Sequence, residues 1–233
     1  MPIPCYLAMT GAEFLYADTL PEKIAWMACH YSCYGSGLSN LPEQLPAGSL
    51  IMINDRTPPC GHDIGLITQQ LLQLYEEEKP LGFLLDFQRP ELPENQAVAC
   101  AVTKALPCPV AVSELYAKEL AAPVFLPLLP PDMPLEDHIA PWHGREIWLE
   151  VGLQREVFTL TEQGCTVTPG TVATLSEPVY KAPSLYCRYH WELSGKEAIF
   201  TLQRGKNEID ALLQNAEGVA LAVGLYQQFG LLI

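Results

Sequence analysis

The sequence predicts an α/β fold: a (β/α)8 TIM barrel, compact and somewhat irregular, with a small antiparallel β insertion between its seventh and eighth strands. Three observations predict it. Short apolar runs recur along the chain and break off in polar residues at their carboxyl ends, most plainly at Phe83-Leu84-Leu85-Asp86. Continuous runs of this kind mark strands covered on both faces in a parallel sheet. Helical patterns or short crossovers separate the runs, as a parallel sheet requires. Eight runs can be counted, at 3–9, 24–29, 49–54, 82–87, 109–113, 123–128, 146–151 and 219–223. The 233 residues fall slightly short of the roughly 250 typical of that barrel.

Taken in order, Ile3 to Met9 ends in Thr10-Gly11, and Ile24 to Cys29 runs into a polar, glycine-rich loop from His30 to Asn40. Ser49 to Asn54 ends in Asp55-Arg56. A helix comes next, because Ile64, Ile67, Leu71 and Leu74 share one face, with Asp63 placed to cap it and Pro80 to close it. After the Gly82 to Phe87 strand, Val98, Ala101, Val102 and Ala105 define a second helix closed by Pro107. The segment from Glu114 to Ala122 is long enough for two helical turns at most, so the crossovers after the fifth and sixth strands are short. Beyond the seventh strand the rhythm changes. Glu156–Leu160 with Cys165–Thr168, and Ser184–Leu193 with Ala198–Leu202, read as antiparallel pairs, and a helix is expected around Asn207 to Asn215. We therefore read 1–233 as one domain, with the insertion at 152–204.

Composition narrows the partners. Hydrophobic residues make up 49% and charged residues 17%, and 27 acidic against 13 basic residues give a net charge of −14. Such a field repels phosphate backbones and anionic membranes, so neither nucleic acid nor a membrane is an expected partner. No run of 18 apolar residues is present. Met1 to Leu7 lacks a basic region and a long apolar stretch, so it does not read as a signal peptide. The eight cysteines then read as buried reduced thiols, and the expected location is the cytoplasm.

Motifs for cofactors are missing. Gly35-Ser36-Gly37 lacks the dinucleotide spacing, and no P-loop, Gly-x-Ser-x-Gly elbow or His-Glu-x-x-His occurs, so no cofactor is expected. Cys29-His30 with Cys33, and Cys60 with His62 and Asp63, have zinc-type ligands without paired Cys-x2-Cys spacing, and no metal is expected. His138 and His143 flank Trp142 in a proline-rich loop and read as packing residues.

Chemistry in such barrels collects at the carboxyl ends of the strands. With the strand ending at Asp86 as the fourth, the chain resembles the chitinase-like glycoside hydrolases of family 18. These carry Asp-Gly-x-Asp-x-Asp-x-Glu at the end of the fourth strand, and many insert a small α+β element after the seventh. Here Leu81 stands at the first Asp, Gly82 at the Gly, Leu84 at the second Asp, Asp86 at the third, and Gln88 at the catalytic Glu. Two of five defining positions are kept. The resemblance implies that the Glu is a general acid for the leaving oxygen, with the substrate's own acetamido group as nucleophile. A neutral amide has no proton to give at useful acidity, so Gln88 cannot fill that role. Leu128-Leu129-Pro130-Pro131 occupies the place of the family's sixth-strand Tyr, and Tyr226 is the candidate for its last-strand aromatic floor.

The expected ligand is therefore a small molecule or oligosaccharide held at a mouth without efficient family-type hydrolysis. Asp86, Gln88 and Glu114 are the residues placed for catalysis, and Tyr31, Asn54, Asp55, Arg89, Glu150 and Tyr226 those placed for the ligand. Two other readings stay open. Glu114, Glu150 or Asp55 can form a conventional acid/base pair across the mouth, or the ligand is not a sugar. The loop Tyr31-Ser32-Cys33-Tyr34-Gly35-Ser36-Gly37 would overhang the same mouth with aromatic faces suited to sugar rings.

Overall fold

The computed structural model describes residues 4–11, 14, 23–127 and 135–152, and strands at 154–161, 164–172, 189–194, 197–202 and 218–223. Eight parallel strands form a closed ring: β1 (Cys5–Met9), β2 (Ile24–Tyr31), β4 (Leu50–Asn54), β5 (Gly82–Asp86), β6 (Val110–Ser113), β7 (Val124–Leu126), β8 (Ile147–Gly152) and β13 (Gly218–Val223). Each pairs with the next, and β13 pairs back to β1. This is the expected (β/α)8 barrel. A two-residue strand, β3 (Leu38–Ser39), runs antiparallel to the end of β2 and has no counterpart in the sequence reading.

Alternation along the strands builds two cores. Tyr6, Ala8, Ala25, Leu50, Met52, Leu84, Ala111, Phe125, Trp148 and Val219 point inward and fill the barrel. Their neighbours, among them Ile51, Ile53, Phe83, Leu85, Val112 and Leu149, pack outward against the helices. Gly82 is required at the foot of β5. A Cβ there would lie 2.6 Å from the carbonyl oxygen of Pro109 and 3.0 Å from the Trp148 ring, so a side chain and the indole cannot share the space.

Helix α1 (Ile64–Glu78) buries Ile67, Leu71 and Leu74. The Asp63 carboxylate accepts from the Leu66 N–H at 3.1 Å and caps it. Lys79 adopts a left-handed conformation (φ 48°) at its end, and Pro80 prevents continuation. Helix α2 (Pro93–Ala105) starts with proline at its first turn and buries Asn95, Val98, Ala99 and Val102. The next crossover holds only the single turn α3 (Glu114–Ala117). Arg145 braces the chain beyond this turn: its guanidinium donates to the carbonyls of Ala117 (3.0 Å), Leu120 (2.7 Å) and Ala122, and lies over the Trp142 ring. A fixed cation thus supplies the backbone partners that a longer helix would otherwise provide. Helix α4 (Leu135–Ile139) and a 3₁₀ turn, Ala140–Trp142, lead into β8.

Between β8 and β13 in sequence lies a four-stranded antiparallel sheet in the order β10-β9-β12-β11, from β9 (Gln154–Thr161), β10 (Gly164–Val172), β11 (Tyr189–Ser194) and β12 (Glu197–Leu202). Both expected hairpins are present, the second from Tyr189 onward; 184–188 lie outside the described residues. The helix expected around Asn207 to Asn215 lies outside the described residues. No helix among the described residues is long and apolar enough to cross a membrane.

Candidate functional site

All eight strands run the same way, so their carboxyl ends form one rim. Two residues beyond the inward-facing Met52, Leu84 and Ala111 come Asn54, Asp86 and Ser113. They continue the inward face as polar residues. Asn54 is in register with Asp86 and His30 with Asn54. Leu85 pairs with Val112, so Asp86 and Ser113 form the next step of that ladder. Asn54 donates to the Met27 carbonyl at 3.1 Å and accepts from the Arg56 N–H at 3.2 Å. Ser113 is fully buried, and its hydroxyl has no hydrogen-bond partner among the described residues.

Asp86 is the chemical centre of this row. The exposed side-chain amide of Gln88 donates to its Oδ1 at 2.7 Å. Burial pushes the Asp86 carboxyl above the usual carboxylate range and the Asp55 charge adds to this, while the Gln88 bond and Arg56 pull the other way. A carboxyl displaced in this direction holds its proton to higher pH, a property that general acids share. Gln88 offers only amide hydrogens that do not ionise usefully.

The opposite side of the same strand end is a closed polar network. Phe87 turns outward, is fully buried, stacks on Tyr31 at 5.5 Å and meets Tyr116 edge-on at 6.2 Å. Asp55, 2% exposed, takes the backbone N–H of Gln88 on Oδ1 (3.1 Å) and that of Arg89 on Oδ2 (2.9 Å). The Asn95 amide adds a third bond to Asp55 Oδ2 at 2.8 Å. The Tyr31 hydroxyl donates to Asn95 Oδ1 at 2.7 Å, which orients that amide. Tyr116 accepts from Asn95 at 3.2 Å and donates to the Arg89 carbonyl at 2.6 Å.

Of the residues placed by sequence, Asn54, Asp86 and Gln88 stand together at the inner rim. Asp55 and Tyr31 are instead buried in the network behind it. The Tyr31 ring packs on Phe87, and burial, then Asp55, raise its hydroxyl pKa. The Arg89 backbone joins that network, while its side chain pairs with Glu91 at 2.7 Å. Glu114 opens α3 and lies 3.7 Å from His138 Nδ1, with burial pushing its carboxyl upward. No hydrogen bond joins it to Asp86 or Gln88 among the described residues. Glu150 is half-buried on β8, opposite Leu221 of β13. Tyr226 lies outside the described residues. Tyr34, in the loop after β2, is 96% exposed.

Asn95 and Tyr116 went unread in the sequence, although Asn95 carried a signal. It shares a helical face with Val98, Ala99 and Val102, at i, i+3, i+4 and i+7, and an amide on an apolar stripe demands a buried partner. Tyr116 gave no such signal. Among the described residues no three His, Cys, Asp or Glu side chains gather as a metal ion would need, and Cys29, Cys33, Cys60, Cys100 and Cys108 are free thiols.

Solved structures share this architecture. The chain is similar in fold to spore cortex-lytic enzymes. The crystal structure of the Bacillus cereus enzyme SleL matches with a TM-score of 0.59 at 10% identity, over 96% of this chain and 71% of that one. The Bacillus megaterium QM B1551 SleL structure matches with a TM-score of 0.55, also at 10% identity, over 94% and 70%. At this identity the likeness is one of fold. No protein-family model and no curated protein matches the chain.

Proposed function

We propose that this glycoside hydrolase-like barrel binds a carbohydrate or related polar ligand at the rim around Asp86 and does not carry out efficient chitinase-type hydrolysis. One observation carries the reading: Gln88, at the position of the family's acid, bonds to Asp86 at 2.7 Å through an amide. An amide at that position has no proton to give at useful acidity, so the family's acid is missing where it would act. A net charge of −14 favours a neutral ligand over a polyanion. The test is incubation with labelled chitotetraose. Binding without turnover is expected of the wild type, and gain of turnover is expected of Gln88→Glu.

A second reading has its own support. Glu114 is a half-buried carboxyl pushed upward by burial, with His138 at 3.7 Å, which are features of a general acid. Turnover by the wild type that Glu114→Gln abolishes would establish it.

A further inference from the structure

The network behind the rim is more elaborate than loop anchoring needs. Between Phe87 and Pro90, the N–H of Gln88 and both the N–H and the C=O of Arg89 are bound by buried side chains. The peptide units flanking Arg89 are therefore fixed in orientation. Every donor in the chain of bonds has one direction. Tyr31 O–H points to Asn95, the Asn95 amide to Asp55 and Tyr116, and Tyr116 O–H to Arg89. Only a carboxylate fits at Asp55, because three donors converge on its two oxygens and an amide would turn N–H toward N–H.

A buried carboxylate is costly to keep and is tolerated when fully hydrogen-bonded, as here. Its effect falls on the next residues along the backbone. Strand β5 ends at Asp86, and the consecutive N–H groups of Gln88 and Arg89 both turn to the one Asp55 carboxylate, so the backbone bends there and leaves the Gln88 side-chain amide on Asp86 Oδ1 at 2.7 Å.

We propose that Asp55, Asn95 and Tyr116 are positioning residues, which hold the 87–89 segment so that Gln88 is presented against Asp86 at the rim. This rests on the reading of Asp86 and Gln88 as the ligand site. It moves Asp55 from the ligand- or proton-handling groups to the framework behind them.

The test uses Tyr116→Phe, which deletes the bond to the Arg89 carbonyl with little change in volume, beside the harsher Asp55→Asn. The first readout needs no ligand: the side-chain amide signals of Gln88 in ¹H–¹⁵N spectra, assigned with Gln88→Ala. In the wild type they are expected to show a hydrogen-bonded, restricted amide, and in Tyr116→Phe to move toward those of a free glutamine. Unchanged Gln88 signals with only a lowered melting temperature would reduce the network to a stability device and overturn the proposal. The second readout is chitotetraose hydrolysis in the Gln88→Glu background. There Tyr116→Phe should lower kcat about tenfold with KM changed less than about twofold, as for a misplaced catalytic group. An unchanged kcat would likewise count against positioning. If Gln88→Glu neither binds nor cleaves chitotetraose, the carbohydrate reading fails, and the amide signals still decide the positioning claim.

Discussion

Two faces of one strand end do different work in this molecule. On the inner face, Asn54, Asp86 and Gln88 make few bonds. Gln88 is exposed, and the Asp86 carboxyl is displaced from its ordinary pKa. On the outer face, Asp55 and Phe87 are buried, and each polar atom named in the network, those of the Arg89 backbone included, is bonded. The faces differ by a single residue step. The comparison teaches that carboxylates adjacent in a rim can have opposite roles. Asp55 is committed to its hydrogen bonds as structure, whereas Asp86 shares one bond with an exposed amide and stays available.

The contrast can be broken most forcefully from the outer face. Asp55→Ala leaves two backbone N–H groups and one N–H of the Asn95 amide without their acceptor, and should cost at least about 3 kcal/mol in denaturant unfolding, at roughly 1–3 kcal/mol per unsatisfied group. Phe87→Ala, which removes a ring packed between Tyr31 and Tyr116, should cost a similar ~3–5 kcal/mol. Tyr116→Phe, losing hydrogen bonds but not the ring, should cost about 1 kcal/mol by the same measurement. On the inner face, Gln88→Ala should change stability by no more than about 0.5 kcal/mol, as for an exposed side chain outside a packed network. A Gln88→Ala loss as large as that of Phe87→Ala would erase the contrast.

Asp86→Asn sharpens it in the opposite direction. The folded state raises this carboxyl's pKa, so it binds the proton more readily than the unfolded chain does. Ionisation therefore costs stability, beginning as pH rises through the unfolded value near ~3.9 and reaching its full extent above the raised folded value. Asp86→Asn removes that cost. Its melting temperature should exceed the wild type's at neutral pH and converge with it in acid. Such a gain would mark Asp86 as a residue kept at the rim at a cost in stability, which is the pattern of functional rather than structural residues.

The barrel was legible in the sequence because buried parallel strands write themselves as uninterrupted apolar runs. Leu50–Asn54 and Gly82–Asp86 fall within one residue of the runs at 49–54 and 82–87. The capped helix after Asp63 was equally plain. Strand β3 was not, since two residues carry no periodicity. The site was legible only in part. Asp86 and Gln88 were marked by the break at a strand end. The role of Tyr31 depends on partners 56 and 64 positions away, Phe87 and Asn95, and nothing local at the end of β2, where a glycine-rich loop follows, announces them. Asp55 looked like a free rim carboxylate because a strand-end acid reads the same whether it faces the barrel interior or the helix layer.

The central claim is that the rim keeps a ligand-binding pair from which the acid has been removed. Its most direct test is one comparison of chitotetraose turnover by the wild type and by Gln88→Glu, with product analysis. The account predicts binding without turnover in the wild type and measurable hydrolysis once the acid is restored. Hydrolysis by the wild type that Gln88→Glu does not increase and Glu114→Gln abolishes would contradict it.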